Sequence, residues 1–187
     1  MRKLTATLLA LLILAGCSTK DKALREQESA LRQQEKALQA RVDSARAEAA
    51  MKALEERDFI VLADRINFRH GGNFNVNSNI NYIYTQGTKG SVQLASPFAS
   101  PGPNGVGGLT FTGGVRNFVL KKDKKGNATA TYMVSGYGVT ANISIKLRKG
   151  SCDAHVSVDA SIGTMGMTVD GKLTRYDPTL IVKGYPD

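Results

Sequence analysis

The chain has 187 residues, 42% of them hydrophobic, with 25 Lys or Arg against 16 Asp or Glu and a formal net charge of +9. This is enough chain to bury one core, and two cysteines are too few for a disulfide-dense scaffold. Residues 59–187 contain no glutamate, so a two-carboxylate hydrolase would have to be built from aspartates alone.

The amino terminus reads as a secretory signal over 1–16, with basic Arg2 and Lys3, an apolar run from Leu8 to Leu14, and small residues before Cys17. The run is too short to span a bilayer, which takes about 20 apolar residues. Leu14-Ala15-Gly16-Cys17 resembles the bacterial lipobox. That resemblance implies a diacylglycerol on the Cys17 thiol, cleavage just before it, and acylation of the new amino terminus by a chain such as palmitate. An ordinary signal peptide with an incidental cysteine is the alternative. With Cys17 lipidated, Cys152 is the only thiol left, so no intramolecular disulfide forms and stability must come from packing.

After a short linker at 17–22, residues 23–57 form a charged helical spacer. Heptads open at Ala23-Leu24, Ala30-Leu31 and Ala37-Leu38 and then decay. Leu24, Leu31 and Leu38 share one stripe, but the companion positions include Glu28 and Glu35, a poor coiled-coil seam. The expectation is a largely solvated helix with a narrow apolar edge, reaching roughly 50 Å at 1.5 Å per residue. It serves as a stiff spacer or as a self-association stripe. Ser18 to Asp58 holds nine basic and nine acidic residues, so the mature excess of +7 lies wholly in 59–187.

From Phe59 the period becomes alternating, and 58–187 reads as an antiparallel β domain. Phe74 to Tyr82 predicts one strand, with Asn75, Asn77, Asn79 and Asn81 on a wet face and Phe74, Val76, Ile80 and Tyr82 on a dry one. Val92 and Leu94 predict a short strand and Leu109 to Leu120 a longer or bent one. Thr129 to Val134 is its partner across the Lys122 to Asn127 turn. Val139 to Leu147, Cys152 to Ala160 and Met165 to Leu173 alternate cleanly between tight turns. The fold class is therefore mainly β, an antiparallel meander closing as a small barrel or a sandwich, preceded by one long helix.

Leu54-Glu55-Glu56-Arg57-Asp58-Phe59, Ala63-Asp64-Arg65, Gly102-Pro103-Asn104-Gly105-Val106-Gly107-Gly108 and Lys122-Asp123-Lys124-Lys125-Gly126 together resemble a Bacteroidota lipoprotein family. It is built on domain of unknown function forty-two fifty-one. The resemblance implies a small lipoprotein with a β-rich domain and carries over no active residues. In such lipoproteins an acidic run after the cysteine goes with surface display. Ser18-Thr19-Lys20-Asp21-Lys22 is not such a run, which points to the outer membrane facing the periplasm. Asp43-Ser44-Ala45 resembles the O-glycosylation acceptor of Bacteroidota, making Ser44 a candidate.

The glycine-rich segment lacks the Gly-Lys-Ser/Thr ending of a phosphate loop. Its residues Gly102, Pro103, Asn104, Gly105, Gly107 and Gly108 suit close backbone packing, or a pre-shaped rim loop for binding. Lys121, Lys122, Lys124 and Lys125 suit anionic headgroups or acidic glycans. Export and the lack of an aromatic platform argue against nucleic acid. His70 and His155 lack the convergent partners of a metal site, and Cys152 reads as a core residue. An aromatic-rich half from Phe59 to Tyr137 facing a small-residue half suits either a packed core or a pocket for a small apolar ligand. The asparagine row suits a glycan. No catalytic set, cofactor or metal site is expected. The leading expectation is a non-enzymatic periplasmic binding or accessory module, with an envelope protein, glycan or small apolar ligand as its partner; a structural protein self-associating through the helix is the alternative and an enzyme of unrecognised type the third.

Overall fold

The computed structural model describes residues 2–68, 72–95, 108–136, 138–161 and 166–183. The chain divides into two compact units, Met1–Val42 and Asp43–Asp187. Helix α1 spans Arg2–Glu56. Within the first unit, Leu24, Leu31, Leu38 and Val42 are exposed, so that part has the solvated character expected of it. In the second unit the expectation fails: Ala47, Ala50, Ala53 and Leu54 are buried, and the last three belong to the core of the β domain. The helix stops because Arg57 turns left-handed at φ 56°, its N–H bonding to the Leu54 carbonyl. The Arg57 guanidinium lies 4.7 Å from the centre of the Phe118 ring, a cation–π contact that fixes the exit.

Among the described residues nine strands follow: β1 (Asp58–Phe68), β2 (Gly72–Asn75), β3 (Tyr82–Gln86), β4 (Lys89–Leu94), β5 (Leu109–Lys122), β6 (Ala128–Gly136), β7 (Val139–Leu147), β8 (Asp153–Ala160) and β9 (Gly166–Arg175). All pairings are antiparallel, and β1 also pairs with β9. That last pairing closes an eight-stranded barrel and leaves β2 as an extra strand beside the far half of β1. The fold is a barrel and not a sandwich.

Alternation decides the interior. Ala128, Ala130, Tyr132 and Val134 of β6, and Ala141, Ile143, Ile145 and Leu147 of β7, point inward while their neighbours face out. Phe59 meets Tyr132 edge-on at 6.2 Å, and Phe118 stacks on Tyr132 at 5.4 Å. The Tyr132 and Thr85 hydroxyls are buried near one another, and neither makes a well-formed hydrogen bond among the described residues. Burial pushes the phenol far above its ordinary pKa. Along β1 the register shifts between Ala63 and Arg65, a bulge that turns both Asp64 and Arg65 outward and returns Ile66 to the core. At this seam a Cβ on Gly171 would lie 2.1 Å from the Leu62 carbonyl oxygen, so β9 can approach β1 only with glycine there.

The single strand expected from Phe74 to Tyr82 is broken. β2 ends at Asn75, a turn follows, and β3 begins at Tyr82. Asn77 is the hub of the turn: its carbonyl accepts from the Ile80 and Asn81 N–H groups and from the Asn81 side chain. Asn81, 2% exposed, caps the end of β4 by accepting from the Ala95 N–H at 2.7 Å. Local amide side-chain bonding overrode the period-two pattern, so the asparagines are not one wet row for a glycan.

A second apolar cluster lies on the outer wall, where Ile60, Tyr82 and Tyr84 pack with Tyr176 and Ile181. Buried Gln93 accepts from the Tyr82 hydroxyl and donates to the Ile80 and Val182 carbonyls, latching the carboxy-terminal segment to the barrel.

Leu54→Ala should cost about 2–5 kcal/mol, because it empties a fully buried site. Leu31→Ala should stay within about 0.5 kcal/mol, as exposed positions do. Chemical denaturation of the two variants measures the contrast, and equal losses would remove the helix terminus from the core.

Candidate functional site

The four lysines singled out in the sequence lie at and beside the β5–β6 turn, which is closed by hydrogen bonds to one side chain. The Asp123 carboxylate accepts from the N–H groups of Lys125 and Asn127 and from the Asn127 side chain, at 2.8–2.9 Å. Gly126 completes the turn at φ +85°. These donors, the Asn127 side chain first, hold the Asp123 carboxyl below its ordinary 3.8. The carboxylate is thus engaged by neutral donors. Lys122 pairs with Glu55 of α1, while Lys121, Lys124 and Lys125 are exposed and form no ion pair among the described residues.

The register adds basic residues that spacing along the chain does not reveal. β6 pairs with β7 so that Thr129 lies between Lys121 and Lys146, and the β7–β8 turn comes beside the β5–β6 turn. The Asn127 side chain accepts from the Lys149 N–H at 3.2 Å, joining the two tips. Arg148 and Lys149 are exposed there. Two turns more than twenty residues apart in sequence therefore present one basic surface, a source of local positive potential.

The other sequence candidates fare differently. Gly102, Pro103, Asn104, Gly105 and Gly107 lie outside the described residues, as do His70 and the side chain of Cys17. Gly108, at φ +76°, leads into β5. Ser44 is exposed on α1. Cys152 is free and half-buried, packed against the core. His155 faces outward and its Nδ1 lies 2.7 Å from Asp170 Oδ1, a pairing across β8 and β9 that no sequence motif signals. Among the described residues no group of three or more His, Cys, Asp or Glu converges to hold a metal. Asp64, Arg65, Asn75, Lys146, His155 and Asp170 are among the residues lining an open cleft of about 600 Å³ on the outer wall.

The architecture defines a class: an antiparallel eight-stranded barrel entered through a helix whose last turns are part of its core. The chain belongs to a particular family of that class, Domain of unknown function (DUF4251), whose model matches residues 41–173. It is similar to the crystal structure of a DUF4251 family protein from Bacteroides eggerthii. The two share 32% identity over 73% of this chain and 91% of the other, with a TM-score of 0.64. No curated protein matches. The family match begins within α1, near the start of the second compact unit.

Asp123→Ala should loosen the β5–β6 tip, seen as faster amide exchange at Lys125 and Asn127. In the unsubstituted chain the folded carboxyl titrates below 3.8. Its contribution to the turn is therefore complete above that pH and fades as pH falls through the lowered value. Protection of the two amides, taken relative to the intrinsic exchange rate at each pH, that did not fall on acidification would contradict the assignment.

Proposed function

We propose that the chain is a lipid-anchored protein of the cell envelope, held through Cys17 in the outer membrane and facing the periplasm. Its β domain is a non-enzymatic binding or accessory module that contacts anionic membrane headgroups through the joined hairpin tips. The observation that carries this reading is the convergence of Lys121, Lys124 and Lys125 with Arg148 and Lys149 on one exposed surface whose local carboxylate is engaged by neutral donors. The lipobox-like Leu14-Ala15-Gly16-Cys17 supports the anchor, and no helix among the described residues is long and apolar enough to cross a membrane. Each basic residue near an anionic surface contributes about 1 kcal/mol, reduced by salt.

A second reading is assembly through the helix. Leu24, Leu31, Leu38 and Val42 are 57%, 53%, 65% and 37% exposed along one stripe, the placement that helix pairing uses.

Metabolic palmitate should label the chain and not its Cys17→Ser variant. Unlipidated chain beginning at Ser18 should bind phosphatidylglycerol vesicles and ignore phosphatidylcholine. The Lys124→Gln/Lys125→Gln pair should weaken that binding about 30-fold, at about 1 kcal/mol for each lysine. Binding that does not depend on lipid charge would refute the headgroup contact. For the second reading, sizing of the same chain should show an oligomer that Leu31→Glu dissolves, and a monomer at high concentration would end it.

A further inference from the structure

The open cleft on the outer wall adjoins the hairpin tips, sharing Arg148 with them, and is otherwise lined by different residues. Its floor is a row set by register: Arg65 of β1 lies beside Asp170 of β9, Asp170 beside His155 of β8, and His155 beside Lys146 of β7. The β1 bulge brings Asp64 to the same side as Arg65, and Asn75 borders the cleft from β2.

Two of the cleft's carboxylates are already engaged. Asp170 binds the His155 ring at 2.7 Å through Oδ1 and accepts from the Asn67 side chain at 3.4 Å through Oδ2. Asp153 pairs with Lys172 and accepts from the Ser151 hydroxyl at 2.9 Å. Arg65, Lys146 and Arg148 line the same cleft and form no ion pair among the described residues. With Asp153 matched by Lys172, three further cations stand against two further carboxylates, Asp64 and the His155-bonded Asp170, an excess of one positive charge. Because Asp170 holds Nδ1 of His155, Nε2 is the ring atom left for a ligand.

We infer that this cleft binds an acidic glycan, a polyhydroxylated chain of at least two sugar rings carrying phosphate or carboxylate. Arg65, Lys146 and Arg148 meet the oxyanions, and Asp64 and Asn75 accept from sugar hydroxyls. The cations select oxyanions, and Arg65 supplies the planar fork that grips them in two-point fashion. Arg65 and Lys146 stand three strand spacings apart, roughly 14 Å at about 4.8 Å each, so a single small anion cannot satisfy both. No Phe, Tyr or Trp lines the cleft among the described residues, which disfavours an apolar ligand. The volume of about 600 Å³ falls in the range of small-ligand sites.

The probes are trehalose 6-phosphate, digalacturonate and uncharged trehalose, titrated calorimetrically into the full chain in neutral detergent. At least one charged probe should bind saturably at one site while trehalose does not, and which of the two binds tells phosphate from carboxylate. Arg65→Gln and His155→Gln should each lower that affinity at least tenfold. The His155 ring proton signal, assigned by its loss in His155→Gln, should move during the titration. Lys124→Gln/Lys125→Gln should leave the calorimetry unchanged, so loss of vesicle binding and loss of glycan binding are separately visible. Absence of saturable binding by both charged probes, equal binding of trehalose, or equal weakening by the tip pair would overturn the inference.

Discussion

Pairing of β1 with β9 removes the two free edges that an eight-stranded meander would otherwise expose. Two local devices make that seam possible. The bulge at Asp64 keeps Ala63 and Ile66 both in the core, and the missing Cβ of Gly171 lets the backbones meet. The same bulge places Asp64 and Arg65 side by side on the outer wall. A feature required for closure thus also equips the cleft, and the row from Arg65 to Lys146 exists only because β1, β9, β8 and β7 are locked in one register.

The helix terminus is the second structural dependence. Small residues Ala50 and Ala53 let the helix approach the barrel, while Leu54 fills space in the core. Arg57 then ends the helix and stacks on Phe118, and Glu55 reaches Lys122. The hairpin that carries the basic tip is thereby tied to the element that precedes the barrel. The family match, beginning at residue 41, includes these turns with the strands, as expected if they belong to the folding unit.

The two basic surfaces meet at Arg148. Residues 59–187 contain no glutamate, and several of their aspartates are engaged: Asp123 in its own turn, Asp153 by Lys172, Asp170 by His155, and Asp177 by Thr179. The lysines and arginines left over are concentrated by topology at the joined tips and along the cleft. The proposed contacts with anionic headgroups and with an acidic glycan rest on that arrangement.

Alternating patterns at Val139 to Leu147 and Asp153 to Ala160 were legible because in-out alternation is written residue by residue. The helical stretch over 23–57 was legible because its composition and lack of Gly and Pro are local properties. The asparagine-rich run misled for the same local reason: alternation looked like a strand, while side-chain bonds from Asn77 and Asn81 made a turn. Nothing in the heptads foretold that Ala50, Ala53 and Leu54 would be buried, since burial depends on what the barrel presents to them. The sequence by itself determined a basic, glutamate-free β domain behind a charged helix, and the lysines of one hairpin. Only the tertiary structure decided that the sheet closes as a barrel, that Lys149 sits beside Asn127, and that His155 meets Asp170. Those outcomes depend on strand register, which brings residues together through the backbone ladder whatever their separation along the chain.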